Sequence, residues 1–132
     1  MTTPSPARKG IILFAHGSRD PLWHRPIAAV AARIADTDPL APVECAYLEL
    51  SSPDLATACS RLLGSGVRVI SIVPLFLGVG KHAREDLPLL VDAMRSQHPQ
   101  IEFLLQPAVG EDQRLIHLLA EMALESVQHQ PS

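Results

Sequence analysis

The chain has 132 residues, 47% of them hydrophobic, with 11 Lys and Arg against 14 Asp and Glu for a formal charge of −3. Such a length buries roughly two-thirds of the unfolded surface in one domain, and such a composition excludes a disordered chain. The scattered Lys and Arg form no basic face, which excludes nucleic acid as the main partner, and no apolar run approaches the ~20 residues that cross a bilayer.

Cys45 and Cys59 have neither the CxxC spacing of a zinc site nor the density of a disulfide framework. They read as small core residues in a reducing compartment. The opening MTTPSPARKG is polar and Pro-rich, without the apolar stretch of a secretory signal. A cytoplasmic protein is expected, with residues 1–132 forming one unit and an ordered core over about 9–127.

Ile11–Ala15 is a short continuous apolar run, the pattern of a strand covered on both faces. After the His16–Asp20 loop, Trp23, Ile27, Val30 and Ile34 recur at helical spacing. Pro26 sits too deep for a helix that starts at Pro21, so the regular helix is expected to begin nearer His24. Val43–Leu50 reads as the second strand. Ser52-Pro53-Asp54 opens the second helix with an N-cap candidate, a Pro at the first position and an early acid. Its stripe is Leu55, Cys59, Leu62 and Leu63, and Gly64 stops it.

The Val- and Ile-rich segment Val67–Leu77 contains the third strand and leads into the loop Gly78-Val79-Gly80. A third helix starts between Lys81 and Pro88 and ends near His98, where Pro99 excludes continuation. Ile101–Leu105 is the fourth strand. Glu111 and Asp112 open the last helix, with Leu115, Leu118, Leu119 and Met122 on one face. The tail from Gln128 to Ser132 is expected to fray.

Four βα units predict an α/β protein: a four-stranded parallel sheet with helices on both faces, three layers in all. A strand order of 2-1-3-4, taken from the fold rule and from no single residue, sets strands one and three side by side. The connections after them then leave in opposite directions, and ligands bind outside the carboxyl edge at such a switch point. Three apolar runs end at that edge next to residues able to hold a transition metal: His16, Glu49 and the loop before His82.

Two imidazoles and a carboxylate suit Co²⁺, Fe²⁺, Ni²⁺ or Zn²⁺ better than Mg²⁺ or Ca²⁺. Three ligands leave coordination positions open, as a working site requires and a closed structural site does not. Around them, Gly17 permits a sharp turn, and Ser18 and Arg19 supply donors, Arg19 in a form able to grip a carboxylate with two bonds. Leu75, Phe76 and Val79 make an apolar lip suited to a flat hydrophobic ligand, and Lys81 and Arg84 suit anionic groups at its rim. Neither GxGxxG nor GK[ST] is present, which disfavours a phosphate or nucleotide site. Ser18 stands on no GxSxG elbow, which disfavours a Ser–His nucleophile. His24, His98, His117 and His129 read as surface residues.

At HGSR (His16–Arg19), YLELSSP (Tyr47–Pro53) and PLFLGVGKHAREDLP (Pro74–Pro88) the chain resembles the short CbiX-type sirohydrochlorin chelatases of the class II chelatase family. The resemblance runs from Gly10 to about Val127 and implies the flavodoxin-like fold. It implies that His16 and His82 hold the metal at the mouth of a tetrapyrrole cleft, with Glu49 able to join them. The implied reaction inserts a divalent ion (Co²⁺ first, Fe²⁺ or Ni²⁺ next) into anionic sirohydrochlorin, for cobalamin or siroheme, with no organic cofactor. A one-unit chain is expected to pair as a homodimer to complete the cleft.

In the implied mechanism His16 and His82 present the ion to the ring and one of them takes a pyrrolic proton as it lets go. Imidazoles as a class titrate near ~6.5 and serve both roles near neutrality. Glu49 completes the metal shell or takes the second proton. A tetrapyrrole or metal carrier using the same cleft without accelerating insertion is the alternative, and sequence does not separate the two.

Overall fold

A computed structural model of the chain describes residues 8–128. The tail expected to fray falls outside the described residues from 129 onward, as does His129. Four parallel strands form one sheet: β1 (Lys9–Ala15), β2 (Val43–Tyr47), β3 (Val69–Pro74) and β4 (Glu102–Leu105). Their order is β2-β1-β3-β4, as the fold rule requires. The ladder pairs Leu13 with Cys45 and Val73, and Ile72 with Leu105.

β1 is central, and its sequence shows why. Ile12 and Phe14 point to one face, Leu13 and Ala15 to the other, and all four are buried. On the first face they meet Leu55, Ala58, Cys59 and Leu62 of α2 (Leu55–Leu63). Ala83, Leu87, Val91 and Met94 of α3 (Lys81–Gln97) complete that layer. On the second face Leu13, Ala15 and Tyr47 pack with Ile27, Ala31 and Ile34 of α1 (Arg25–Thr37). Each fully buried aliphatic side chain contributes about 1.5–3 kcal/mol, so the two-sided strand anchors the molecule. Burial also lifts the Cys59 thiol to about 11, which keeps it protonated at neutral pH.

Some boundaries differ from the sequence reading for local reasons. A 3₁₀ turn, Pro21–His24, precedes α1, and the Asp20 carboxylate accepts the Leu22 N–H at 2.9 Å to start it. Pro21 opens this turn and Pro26 lies in the first turn of α1, where neither N–H is needed. The second strand stops at Tyr47, short of Leu50, which stands in the left-handed region at φ 63°. The N-cap of α2 is Asp54, three residues before Thr57, whose N–H it accepts at 2.9 Å. Pro53 therefore precedes the cap and does not occupy the first helical position. That hydrogen bond holds the Asp54 carboxyl below its ordinary range.

α3 begins at Lys81, so Pro88 lies inside it. A Pro there forgoes one backbone bond at about 3 kcal/mol, but Pro88 and Arg84 are both exposed and water reaches the carbonyl left over.

The last helix, α4 (Gln113–Gln128), follows a 3₁₀ turn at Val109–Glu111. Its stripe is apolar as expected, yet none of its residues is buried. Its sustained packing within the described residues is against that 3₁₀ turn alone. On the α1 side of the sheet, α1 lies over β1 and β2, while over β3 and β4 Val73 is half-buried and Leu104 exposed. The sandwich is therefore complete over α2 and α3 and half-built on the opposite face. No helix of the described residues is long and apolar enough to cross a membrane.

Candidate functional site

The β1–β2 ladder continues past the strand ends into the two loops that matter. The Leu48 N–H donates to the Ala15 carbonyl at 2.9 Å and the Glu49 N–H to the His16 carbonyl at 3.0 Å. His16 and Glu49 are thus adjacent in register at the carboxyl edge. Gly17 makes this approach possible: its φ is +103°, and a Cβ on it would lie 1.7 Å from the Glu49 carbonyl oxygen. Gly17→Ala therefore meets both backbone strain and a clash, and we expect a loss of several kcal/mol or no folded protein, read from the thermal midpoint.

His82 reaches the same edge from the other side of the switch point, in the first turn of α3. His16, Glu49, Lys81, His82 and Asp86 line one open crevice of about 540 Å³, floored by Leu48 and Ala83. The three candidate metal ligands thus share a crevice, all exposed. Among the described residues, no three His, Cys, Asp or Glu side chains stand close enough to hold an ion as they are. Bringing exposed rotamers together around an ion costs up to about 2 kcal/mol for a long side chain, much less than metal–ligand bonds return.

The His16 ring is steadied by Phe76, with ring centroids 4.6 Å apart and planes tilted by 48°. Phe76 is buried and belongs to the α2–α3 core, so it ties the imidazole to the rigid part of the molecule. Phe76, Val79 and Arg84 line a second crevice of about 310 Å³ with Ala83, Leu87 and Gln106. The two hollows share Ala83 and meet at the start of α3. The N-cap there is Gly80, whose side-chain position offers no hydrogen bond to the first turn. The positive end of a 17-residue helix therefore joins Lys81 and Arg84 in favouring anions.

Not every residue singled out from sequence joins this edge. Leu75 does not: the pleat sends it to the face opposite Phe76, where it packs with the Leu13–Ile27 cluster. It lines instead a separate hollow of about 450 Å³ with Leu115 and Leu118 of α4. Ser18 lies outside the lining of both crevices, and its hydroxyl accepts the Asp20 N–H at 3.0 Å within its own loop. Arg19 is exposed and also outside both linings.

Two residues missed from sequence gain a place. His24, expected at the surface, is half-buried, with Nε2 3.0 Å from the Ser18 carbonyl. Ser51 donates to the same carbonyl at 2.7 Å. No local pattern announces these contacts, because Ser51 comes from a loop distant in sequence from both Ser18 and His24.

The arrangement is that of a parallel α/β sandwich with an open crevice at the switch point between β1 and β3. Comparison with known proteins then makes the assignment specific. The chain belongs to the CbiX family, whose model matches residues 10–126. It is 30% identical over 123 residues to a sirohydrochlorin cobaltochelatase of Saccharolobus islandicus, covering 89% of this chain and 94% of that protein. It is 28% identical over 116 residues to a sirohydrochlorin ferrochelatase of Priestia megaterium, of which it spans 44%. Among solved structures, a CbiX protein of Marinobacter aquaeolei VT8 superposes with a TM-score of 0.80 at 31% identity. That match covers 92% of this chain and 99% of the other.

Proposed function

We propose that this chain is a sirohydrochlorin chelatase, a lyase-type enzyme that inserts a divalent first-row ion into an anionic tetrapyrrole. The observation that carries the reading is the meeting of His16, Glu49 and His82 around one crevice at the switch point. The relatives support it by name, one a cobaltochelatase and another a ferrochelatase. Co²⁺ is the first choice of metal because the cobaltochelatase relative matches along nearly its whole length. Fe²⁺ and Ni²⁺ suit the same donors.

In this reading the metal is a substrate, held between the His16 and His82 imidazoles and facing the ring. Phe76 and Val79 cover the apolar macrocycle, and Lys81, Arg84 and the α3 N-terminus meet its peripheral carboxylates. Two pyrrolic protons leave as one dication enters, so the ring's net charge is unchanged. One imidazole accepts a proton as its lone pair leaves the metal, and Glu49 accepts the other. No organic cofactor is needed for this exchange. The two unpaired cysteines, Cys45 and Cys59, fit a reducing, cytoplasmic setting. Residues 1–132 act as one chelatase unit, with its core over about 9–127.

A homodimer completes the unit. The α4 helix carries Ile116, Leu118, Leu119, Met122, Leu124 and Val127 at 38–71% exposure, beside a sheet face that lacks a helix. Exchange of α4 between two copies covers both.

The test is insertion itself. Purified protein mixed with sirohydrochlorin and Co²⁺ should produce the metallated ring well above the spontaneous rate, followed by absorbance. A rate no higher than the spontaneous one would replace the enzyme with a carrier.

A further inference from the structure

We propose that His24 and Ser51 form a latch that sets the spacing between the His16 and Glu49 side chains; the inference rests on the chelatase reading above. Ser51 uses its hydroxyl twice on one residue. It accepts the Ser18 N–H at 2.9 Å and donates to the Ser18 carbonyl at 2.7 Å. His24 Nε2 reaches the same carbonyl at 3.0 Å and lies 3.3 Å from the Ser51 oxygen. A carbonyl only accepts, so Nε2 carries the proton.

The position of this knot in the chain is what gives it consequence. Ser18 is two residues after His16 and Ser51 two residues after Glu49. The backbone bond from Glu49 to the His16 carbonyl closes the other side. The candidate ligands therefore emerge from a short double loop fastened at both ends. Leu50, between Glu49 and Ser51, stands at φ 63°, a conformation that leucine adopts only when its surroundings hold it. The latch is what holds it.

The histidine itself is fixed from behind. Its ring meets Tyr47 edge-on at 4.9 Å and Trp23 at 5.3 Å, and α1 begins at the next residue. Tyr47 is buried at the end of β2, so the latch is tied to the sheet and not to a solvated loop. Neither His24 nor Ser51 lines the metal crevice. They are positioning residues, acting through the backbone of Ser18 and Leu50. Supporting groups that orient metal ligands are worth 10–100-fold in metal affinity.

The experiment measures Co²⁺ binding to the ring-free protein by its absorption spectrum and by calorimetry, with steady-state insertion alongside. Ser51→Ala is expected to weaken Co²⁺ binding about tenfold or more and to lower kcat, with KM for sirohydrochlorin within about twofold. Ser51→Thr, which keeps the hydroxyl, should restore both. His24→Phe, which keeps the ring against Tyr47 but has no Nε2 donor, should reproduce part of the loss while remaining folded by circular dichroism. Wild-type Co²⁺ affinity in folded Ser51→Ala and His24→Phe, with binding lost in His16→Ala, overturns the latch alone. Equal Co²⁺ affinity in wild type and His16→Ala overturns the metal site, and the latch with it.

Discussion

Alanine at His16 or His82 should abolish Co²⁺ insertion, lowering kcat by about a hundredfold or more, while each variant unfolds within a few degrees of the wild-type thermal midpoint. Both side chains are exposed, so truncating them removes little packing. The proposed chemistry depends on them far more. With one imidazole gone, the ion keeps one nitrogen donor and Glu49, and it is neither gathered tightly nor released with a ready proton acceptor. The two variants should differ in one respect. His16 leans on buried Phe76, so its loss also alters the surface proposed to cover the macrocycle and should raise KM, whereas loss of His82 should act mainly on kcat. Stopped-flow absorbance at the metallated ring's bands, with calorimetric Co²⁺ titrations, reads both effects. Wild-type insertion rates in either variant would remove that imidazole from the mechanism.

The second large effect concerns α4. Leu118→Glu combined with Met122→Glu should convert a dimer into monomers in sedimentation or light scattering. Both side chains are at least half exposed within one chain, at 50% and 56%, so the charges cost a single copy almost nothing. In a dimer built by helix exchange the same carboxylates would be buried against Leu75, Val73 and Leu104 of the partner copy, a placement that costs several kcal/mol per charge. The β3–β4 face would then stay bare, and the protein should become more prone to aggregate. Unchanged mass for the double variant and wild type, both as monomers, would refute the exchange. An unchanged dimer would move the interface elsewhere.

Much of this architecture is readable from residue order because β1 is enclosed on both faces. A strand in that position must be apolar at every residue from Ile11 to Ala15, and five such residues in a row, too short for a helix, suit little else. The candidate ligands are legible for a related reason: each follows closely on an apolar run that has to be a strand, and parallel strands end on one edge. The strand order comes from the fold rule, and the ladder agrees. Helix caps are harder. Ser52, Pro53 and Asp54 all favour a helix start, and only the hydrogen bond to Thr57 selects Asp54.

What stays hidden has a common cause. Leu75 and Phe76 look like one apolar lip in the sequence, but the pleat assigns adjacent residues to opposite faces, and the strand's end decides how far that alternation persists. The α4 stripe is visible as an apolar face, yet periodicity reports only that a face seeks cover and not what supplies it. His24 reads as a surface residue because its partners, Ser18 and Ser51, come from two different loops. Short-range patterns carry no trace of such meetings.

The two proposed jaws of the crevice are mounted unequally. His16 leaves the most enclosed strand and leans on a buried ring, while His82 stands on the first turn of a helix behind Gly78 and Gly80, around which a Cβ would meet only open space. A cation held between a fixed jaw and a yielding one can differ in radius without a penalty in the scaffold. Discrimination among neighbouring first-row metals would then fall to supply and to the rate of hand-over, and not to the bore of a rigid socket.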